Sequence, residues 1–252
     1  MIAHRGASGV APENTISAIR AALAQGTDWV EVDVQRSRDG ALVLMHDETL
    51  DRTTDAPRVF PGRAPWLVGD FTLAELLRLD AGAWFGPAFR RVRIPTLLKV
   101  LTVLAAPTGL LLEVKDPLLY PGIEEQIIEE LTVGGFLTAA VAERRLVVSS
   151  FDHQAMRRLS ELCPALPVGL GFELRPTDAQ LREAASYATE INADILVLDQ
   201  DLVRRVHELN LSLSVFTVNA HEAVRAALEV GVDGIIGDYP AELRSRVRGR
   251  VA

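Results

Sequence analysis

The sequence lacks several features that would set it apart from ordinary globular proteins. It contains one cysteine, Cys163, which excludes an intramolecular disulfide and a cysteine-based zinc site and is compatible with a reducing compartment. It has no apolar run long enough to span a bilayer, because the longest uncharged stretches, such as residues 100–112, are interrupted by Pro107 and Gly109. No signal-peptide pattern precedes the strand-like residues after Met1, so we expect a cytoplasmic protein.

Positive charge is also scarce. Lysine and arginine total 26 against 34 aspartate and glutamate residues, which gives a formal net charge of -8 at pH 7. This balance disfavours a broad electrostatic contact with nucleic acid or anionic lipid. We therefore expect a small-molecule substrate, no nucleic-acid partner and no stable membrane association, in a monomer or small homo-oligomer. The hydrophobic share of 48% is that of an ordinary folded chain and excludes disorder, collagen and coiled coil.

Length and patterning predict a (β/α)8 barrel. The 252 residues allow two small domains or one barrel, and we expect a single domain over residues 1–252. Short apolar runs alternate with helical patterns, as in a parallel sheet covered by helices, although periodicity alone does not exclude an open doubly wound sheet. The eight predicted strands are residues 2–5, 29–34, 110–115, 146–151, 168–172, 195–199, 213–218 and 234–238.

A further strand-like run, residues 41–46, follows the second strand too closely for a parallel crossover. The dipeptide Asp39-Gly40 is a strong two-residue hairpin turn, so this run should fold back antiparallel. Counting outward from such a turn places Asp33 opposite His46 at the barrel rim.

Residues 47–95 are predicted to be an insertion before the third barrel strand. The segment contains five prolines and one short helical pattern near residues 72–79. Connections of this length usually cover a site.

Four charged residues should converge at the carboxyl ends of two neighbouring strands. The strand period of two puts Glu31 and Asp33 on one face of the second strand, and Glu113 and Lys115 on one face of the third. Close carboxylates in a dry barrel need a compensating cation, and three oxygen donors suit one divalent ion such as Mg2+ or Ca2+. The alternative is a structural lysine-carboxylate network that closes the top of the barrel.

Two histidines lie at the same end of the predicted barrel. His4 ends the first strand and His46 reaches the rim through the hairpin, so the pair could serve as general base and general acid. Taken singly, either one would more often be structural. Arg5 offers a bidentate fork for a phosphate or a rim salt bridge, and Asp47 is a partner of His46 or a turn residue.

Four aromatic residues could line the mouth of the site or belong to the apolar core. The core is the better expectation for Phe216. They are Trp84, Phe85, Phe172 and Phe216.

Short motifs follow one another along nearly the whole chain, and they are specific as an ordered set. They are His4-Arg5-Gly6-Ala7, Pro12-Glu13-Asn14-Thr15, Glu31-Val32-Asp33-Val34, Asp39-Gly40, His46-Asp47-Glu48-Thr49-Leu50-Asp51-Arg52-Thr53-Thr54, Ile94-Pro95-Thr96-Leu97, Glu113-Val114-Lys115, Ser150-Phe151, Phe216-Thr217-Val218-Asn219, Gly231-Val232-Asp233-Gly234-Ile235-Ile236 and Asp238-Tyr239-Pro240. In this series the chain resembles the glycerophosphodiester phosphodiesterases, a family of phospholipase C-like TIM-barrel enzymes.

The resemblance implies metal-dependent hydrolysis of glycerophosphodiesters, such as glycerophosphocholine or glycerophosphoethanolamine, to sn-glycerol 3-phosphate and an alcohol. It favours a route through a cyclic phosphate, and Asn14 and Ser150 are weaker positions that support the site. The implied roles are metal binding for Glu31, Asp33 and Glu113, acid-base catalysis for His4 and His46, and phosphate binding for Arg5 and Lys115.

The sequence departs from the family pattern in three places. Phe216 replaces a usual tryptophan, Gly237 stands where threonine is common, and Leu98-Lys99 replaces an acidic pair. Two other functions stay open, a lysophospholipase D-like activity on lipids and a non-catalytic phosphate-binding module. The sequence does not assign base and acid between His4 and His46.

Overall fold

The computed structural model describes residues 1–104 and 106–248, and at its centre eight parallel strands form a closed barrel. β1 pairs with both β2 and β9, which closes the ring, and β3 is antiparallel to β2. The predicted (β/α)8 barrel is confirmed. In chain order the strands are β1 (Ile2–Ala3), β2 (Trp29–Arg36), β3 (Leu42–Leu44), β4 (Gly109–Val114), β5 (Leu146–Ser150), β6 (Val168–Phe172), β7 (Glu190–Asp194), β8 (Ser212–Phe216) and β9 (Gly234–Gly237).

Helices connect the barrel strands and begin at residues that suit helix starts. Asp152 accepts a hydrogen bond from the third residue after it, and Thr177 forms a capping box with Gln180. In chain order the helices are α1 (Ile16–Ala24), α2 (Ala56–Val59), α3 (Leu73–Leu76), α4 (Leu97–Leu101), α5 (Ile123–Thr132), α6 (Phe136–Ala142), α7 (His153–Leu162), α8 (Asp178–Ala184), α9 (Gln200–Glu208), α10 (His221–Val230) and α11 (Pro240–Arg248).

The main apolar core lies between the barrel and its helices. Val30, Val32 and Val34 of β2 are fully buried there together with Ile19 of α1. Because successive side chains of a strand point to opposite faces, the residues between these valines point into the barrel. None of the helices in the described ranges is both long and apolar enough to cross a membrane.

The sixth barrel strand is β7, Glu190–Asp194, so the predicted strand over residues 195–199 is wrong. The apolar residues of that run begin with the 3-10 turn Ile195–Val197, and its middle residue, Leu196, is 89% exposed. The true strand has polar residues at alternate positions, which face the barrel interior. It therefore lacks the continuous apolar run that is typical of a buried parallel strand.

The predicted hairpin is present, but its register differs by one residue. Val34 pairs with Leu44, which places Met45 rather than His46 beside Asp33. The turn is one residue longer than expected because the Ser37 hydroxyl donates to Asp39 and accepts from the amide of Ala41, at 2.7 and 2.8 Å. Three-residue hairpin loops of this kind place a glycine at positive φ, as Gly40 is here.

The insertion after β3 packs around an apolar core of its own. Helices α2 and α3 and two 3-10 turns, Val68–Asp70 and Pro87–Phe89, belong to it. Ten buried residues form this second core, namely Val43, Met45, Leu50, Ala56, Val68, Phe71, Leu76, Leu79, Ala81 and Ile94. Because Val43 and Met45 belong to the hairpin arm, the insertion is fixed to the barrel at the segment that precedes His46.

Candidate active site

Three carboxylates meet at the carboxyl ends of β2 and β4. Glu31 and Asp33 alternate with the buried valines of β2, and Asp33 pairs in register with Glu113 of β4. One oxygen from each residue lies within 4.8 Å of the others, and Glu31 and Asp33 are almost fully buried. The convergence predicted from strand alternation is therefore present in the structure.

Each carboxylate has one oxygen held by a donor of the chain. These hydrogen bonds run from Arg5 N to Glu31 Oε2, from Lys115 Nζ to Glu113 Oε1 and from Asn14 Nδ2 to Asp33 Oδ2, each at 2.7 Å. Within the described ranges no hydrogen bond reaches the second oxygen of any of the three. One oxygen of each carboxylate is therefore left to bind a cation, and oxygen donors are what Mg2+ and Ca2+ prefer.

Glu31 and Glu113 are buried beside other carboxylates, which raises the pKa of both. Burial, with repulsion from Asp33 and Glu113, raises the pKa of Glu31 well above its ordinary value. Burial and Asp33 also raise the pKa of Glu113, although Lys115 opposes the shift. A bound divalent ion would restore the ionised forms, so the donor set fits a hard metal ion.

Arg5 and Asn14 donate hydrogen bonds to this cluster, and both have an unusual backbone conformation. Both residues have positive φ, 52° and 55°, and the amide of Asn14 donates to the carbonyl of Arg5 at 3.0 Å. The Asn14 amide oxygen accepts from the backbone N–H of Asp33 at 3.0 Å, so this one side chain contacts Asp33 at two atoms. Asparagine tolerates this region better than most residues, which suits it to the position.

His4 is oriented by a carboxylate from the other end of the chain. Its Nδ1 lies 2.7 Å from Asp238 Oδ1, and Asp238 also accepts from Ser8 and from Asn219. Burial alone would raise the pKa of Asp238, but these hydrogen bonds outweigh it and lower the pKa to about 2. Because an ionised carboxylate only accepts, Nδ1 of His4 carries the proton and Nε2 is left available.

His46 has a similar partner next to it in the sequence. Its Nδ1 lies 2.7 Å from Asp47 Oδ1, and Arg52 donates to both oxygens of Asp47, at 2.5 and 2.9 Å. Burial opposes ionisation, yet the bonds from Arg52 and His46 lower the pKa of Asp47 to about 2. Arg52 also donates twice to Glu13, and Glu13 accepts from Arg5 at 2.8 Å. A chain of ion pairs, ending in the hydrogen bond between Asp47 and His46, thus connects Arg5 to His46.

Replacing Arg52 with alanine should lower kcat while leaving KM nearly unchanged, because Asp47 would lose the donors that fix it against His46. Loss of such an outer partner typically costs on the order of tenfold. Steady-state kinetics on a diester substrate would measure it, with Arg58→Ala as the control, since Arg58 is an exposed arginine that pairs with Asp55. A wild-type kcat in Arg52→Ala would contradict this role.

The polar residues predicted from the sequence line one cavity of about 690 Å3. His4, His46, Arg5, Lys115 and the three carboxylates all line it. The lining also includes residues that the sequence did not predict, or indicated only as weaker positions, namely Ser149, Ser150, Phe151, Glu173, Asn192 and Asp194. The Ser150 hydroxyl donates to the carbonyl of Val114 at 2.7 Å, which ties β4 to β5 beside the site.

Of the four aromatic residues considered for the mouth, Phe216 lines this cavity, with its ring 5.7 Å from that of Phe151. Phe172 is buried, with its ring 4.6 Å from His153. Trp84 and Phe85 pack edge to face on the surface of the insertion and are not among the residues that line the cavity.

Asp238, Arg52 and Glu13 lie outside the set of site residues predicted from the sequence. A signal existed for Asp238, because it directly follows the last barrel strand, where site residues of such barrels occur. Asn219 stands three residues before Glu222, a spacing that is also typical of a capping box. In the structure the residue before α10 is Ala220, and Asn219 bonds Asp238 instead.

Comparison with known proteins points in the same direction as the geometry. A family model described as the glycerophosphoryl diester phosphodiesterase family matches residues 4–242. A glycerophosphodiester phosphodiesterase of Caldanaerobacter subterraneus subsp. tengcongensis is 38% identical over 253 residues, covering 98% of this chain and 97% of the relative. One of Bacillus subtilis is 35% identical over 251 residues, covering 95% and 83%.

Solved structures are similar over the whole barrel. A phosphodiesterase of Oleispira antarctica, in complex with the product sn-glycerol-3-phosphate, superposes with a TM-score of 0.85 at 30% identity, covering 98% of this chain and 96% of that one. A glycerophosphodiester phosphodiesterase of Agrobacterium tumefaciens gives a TM-score of 0.79 at 27% identity, covering 97% and 98%.

Proposed function

This chain belongs to the glycerophosphoryl diester phosphodiesterase family, and from that premise we propose that it hydrolyses glycerophosphocholine and glycerophosphoethanolamine with one divalent metal ion and two histidines. The general activity, glycerophosphodiester phosphodiesterase, follows from its relatives. The observation that carries the finer proposal is the placement of three metal-competent carboxylates and two Asp-His pairs around one cavity.

Glu31, Asp33 and Glu113 would hold the metal through the oxygens that the chain leaves free. Mg2+ or Ca2+ fits these donors. When bound, the ion supplies Lewis-acid polarisation of the phosphoryl oxygens and offsets the charge of the carboxylates.

Arg5 and Lys115 bind the phosphate in this proposal. Ion pairs with Glu13 and Glu113 position their charged groups at the cavity wall, at 2.8 and 2.7 Å. Burial opposes the charge of Lys115, but Glu113 and Asp33 outweigh it and raise its pKa, so the ammonium group stays charged. Both residues would stabilise the charge that gathers on the phosphoryl oxygens in the transition state.

His46 is the proposed base and His4 the proposed acid. Burial is the largest cause that lowers the pKa of His46, so its imidazole is neutral at pH 7 and Nε2 can accept the proton of the attacking oxygen. That oxygen belongs to water or to the glycerol 2-hydroxyl. His4, oriented by Asp238 through Nδ1, would act in its doubly protonated form and donate the Nε2 proton to the departing alkoxide of the alcohol.

The opposite wall of the cavity suits the glycerol arm of the substrate. Asn192, Asp194 and Glu173 offer hydrogen-bonding groups there, and the ring of Phe216 offers an apolar face for the carbon atoms. A glycerol moiety needs both, since its hydroxyls alternate with C–H surface. The product sn-glycerol-3-phosphate bound by the Oleispira antarctica phosphodiesterase supports this choice of substrate.

The direct test is release of sn-glycerol 3-phosphate from glycerophosphocholine by metal-stripped protein, followed with a coupled glycerol-3-phosphate dehydrogenase. We expect no release with chelator and turnover on addition of Mg2+ or Ca2+. Equal turnover in chelator would contradict the metal requirement. Absence of product from both glycerophosphocholine and glycerophosphoethanolamine with either ion would contradict the proposed substrates.

A further inference from the structure

One buried side-chain amide contacts the backbone on both sides of His46. Gln35 lies two residues after Asp33 on β2, so it shares the face of the carboxylate cluster, and its side chain is fully buried. Its Nε2 donates to the carbonyls of Met45, His46 and Asp47, at 3.0, 3.3 and 2.6 Å. Three consecutive carbonyls are thus held by one amide group.

These three carbonyls belong to a segment that has left the sheet. β3 ends at Leu44, and the amide of Met45 still bonds β2, through the carbonyl of Asp33 at 3.1 Å. Within the described ranges, no donor other than Gln35 reaches the carbonyls of residues 45–47. Because polar backbone groups that are shielded from water need partners, Gln35 replaces the ladder bonds that β3 no longer makes.

A tyrosine from the loop that carries Lys115 orients this amide. Tyr120 follows the 3-10 turn Pro117–Leu119, is itself buried, and donates its hydroxyl proton to Gln35 Oε1 at 2.8 Å. A flipped amide would turn its own oxygen toward three carbonyl oxygens, so only one orientation satisfies all the contacts. The bond between Tyr120 and Gln35 therefore joins the phosphate-binding loop to the hairpin arm that carries His46.

We propose that Gln35 is a positioning residue for His46, and that Tyr120 acts through Gln35. In the proposed mechanism His46 accepts the proton of the attacking oxygen, and its Nδ1 is held by Asp47. Gln35 fixes the backbone of both residues, so it determines where the imidazole lies relative to the substrate. A misplacement of about 1 Å can cost about a hundredfold in rate. This inference rests on the proposed function, because Gln35 acts through the proposed base.

The first test separates kcat from KM. Gln35→Met keeps the length of the side chain and removes its amide, so kcat on glycerophosphocholine should fall about 10 to 100-fold. KM should stay within about twofold, because Arg5 and Lys115 still bind the phosphate. Tyr120→Phe removes one hydrogen bond and keeps the ring, so its kcat should fall by about threefold to tenfold with the same KM.

The imidazole signals of His46 provide a readout that a general loss of stability would not move. They are recorded in proton-nitrogen correlation spectra of the protein with Mg2+ or Ca2+, and His46→Ala assigns them. In Gln35→Met and in Tyr120→Phe the His46 signals should shift or broaden. The signals of His4 should stay unchanged, because Asp238 holds that imidazole independently.

Gln126→Met and Tyr187→Phe are the matched controls. The Gln126 amide donates to the carbonyl of Gly40 at the turn of the same hairpin, away from His46. The Tyr187 hydroxyl donates to the carbonyl of His153, at 3.3 Å, outside the active site. Both variants should keep the wild-type kcat and the wild-type His46 signals.

A wild-type kcat in Gln35→Met would overturn the inference and leave the proposed function standing. A lower kcat with unchanged His46 signals would also overturn it, in favour of an effect of Gln35 elsewhere in the site. If Gln35→Met does not fold, the same two outcomes in Tyr120→Phe decide. A wild-type kcat in His46→Ala would instead reject the proposed base, and the inference with it.

Discussion

His4→Ala should lose about 10^2 to 10^4-fold in kcat on glycerophosphocholine, yet lose far less on a substrate that carries 4-nitrophenol in place of choline. Choline leaves as a strongly basic alkoxide and needs a proton, whereas 4-nitrophenolate leaves without one. His46→Ala should lose activity on both substrates, since the attacking oxygen must be deprotonated in either case. Initial rates on sn-glycero-3-phosphocholine and sn-glycero-3-phospho-4-nitrophenol would show the difference.

His221→Ala is the control for this pair, because His221 is an exposed histidine at the start of α10. Its rates should match those of the wild type on both substrates. If the 4-nitrophenyl substrate rescued His46→Ala rather than His4→Ala, the two assignments would be reversed. Rescue of neither variant would exclude a separate acid role for either histidine.

Glu31→Gln should change stability in opposite directions with and without metal. Because burial raises the pKa of Glu31, this carboxyl adds stability at low pH and that contribution is lost as pH rises through the folded-state pKa. At pH 7 without metal, the substitution should therefore raise Tm by about 2 to 5 °C. With metal at a hundred times its Kd, the wild type gains about 2.7 kcal/mol and the variant should gain far less.

The same variant should lose at least about a hundredfold in turnover, since a metal supplies several kcal/mol of transition-state stabilisation. Thermal unfolding with chelator and with Mg2+, followed by activity, would measure both effects. Glu190→Gln is the control, because burial also raises the pKa of Glu190 but this carboxyl lies outside the three-carboxylate cluster. It should raise Tm and keep the metal-induced shift. A full metal-induced shift in Glu31→Gln would contradict its role as a ligand.

Strand alternation predicted that Glu31 and Asp33 point to the same face, because alternation depends only on local geometry. Once Trp29–Arg36 is a strand, Glu31 and Asp33 must share a face, and parallel pairing with β4 brings Glu113 beside Asp33. The existence of the hairpin was equally local, since Asp39-Gly40 occupies the turn. The register of the hairpin was not predicted correctly, because the hydrogen bonds of the Ser37 hydroxyl favour the longer loop.

The other wrong or missing predictions concern features that tertiary contacts determine. β7 has polar residues at alternate positions inside the barrel, and its apolar successor looked like the strand. The partner of His4, Asp238, lies 234 residues away, and no local spacing links the two. Arg52 binds Glu13 only because the insertion folds back onto the first loop of the barrel.

Because the insertion has a separate core, we expect the proposed role of His46 to depend on whether this unit is folded. Residues of this core flank His46 on both sides, Met45 before it and Leu50 after it, and Arg52 lies on the same segment. Stability is not uniform across a structure, and contiguous units can open while the rest stays folded. Opening of this unit would displace His46 and its partners while the eight-stranded ring stays closed. In the proposed mechanism, only molecules in which this unit is closed can turn over substrate.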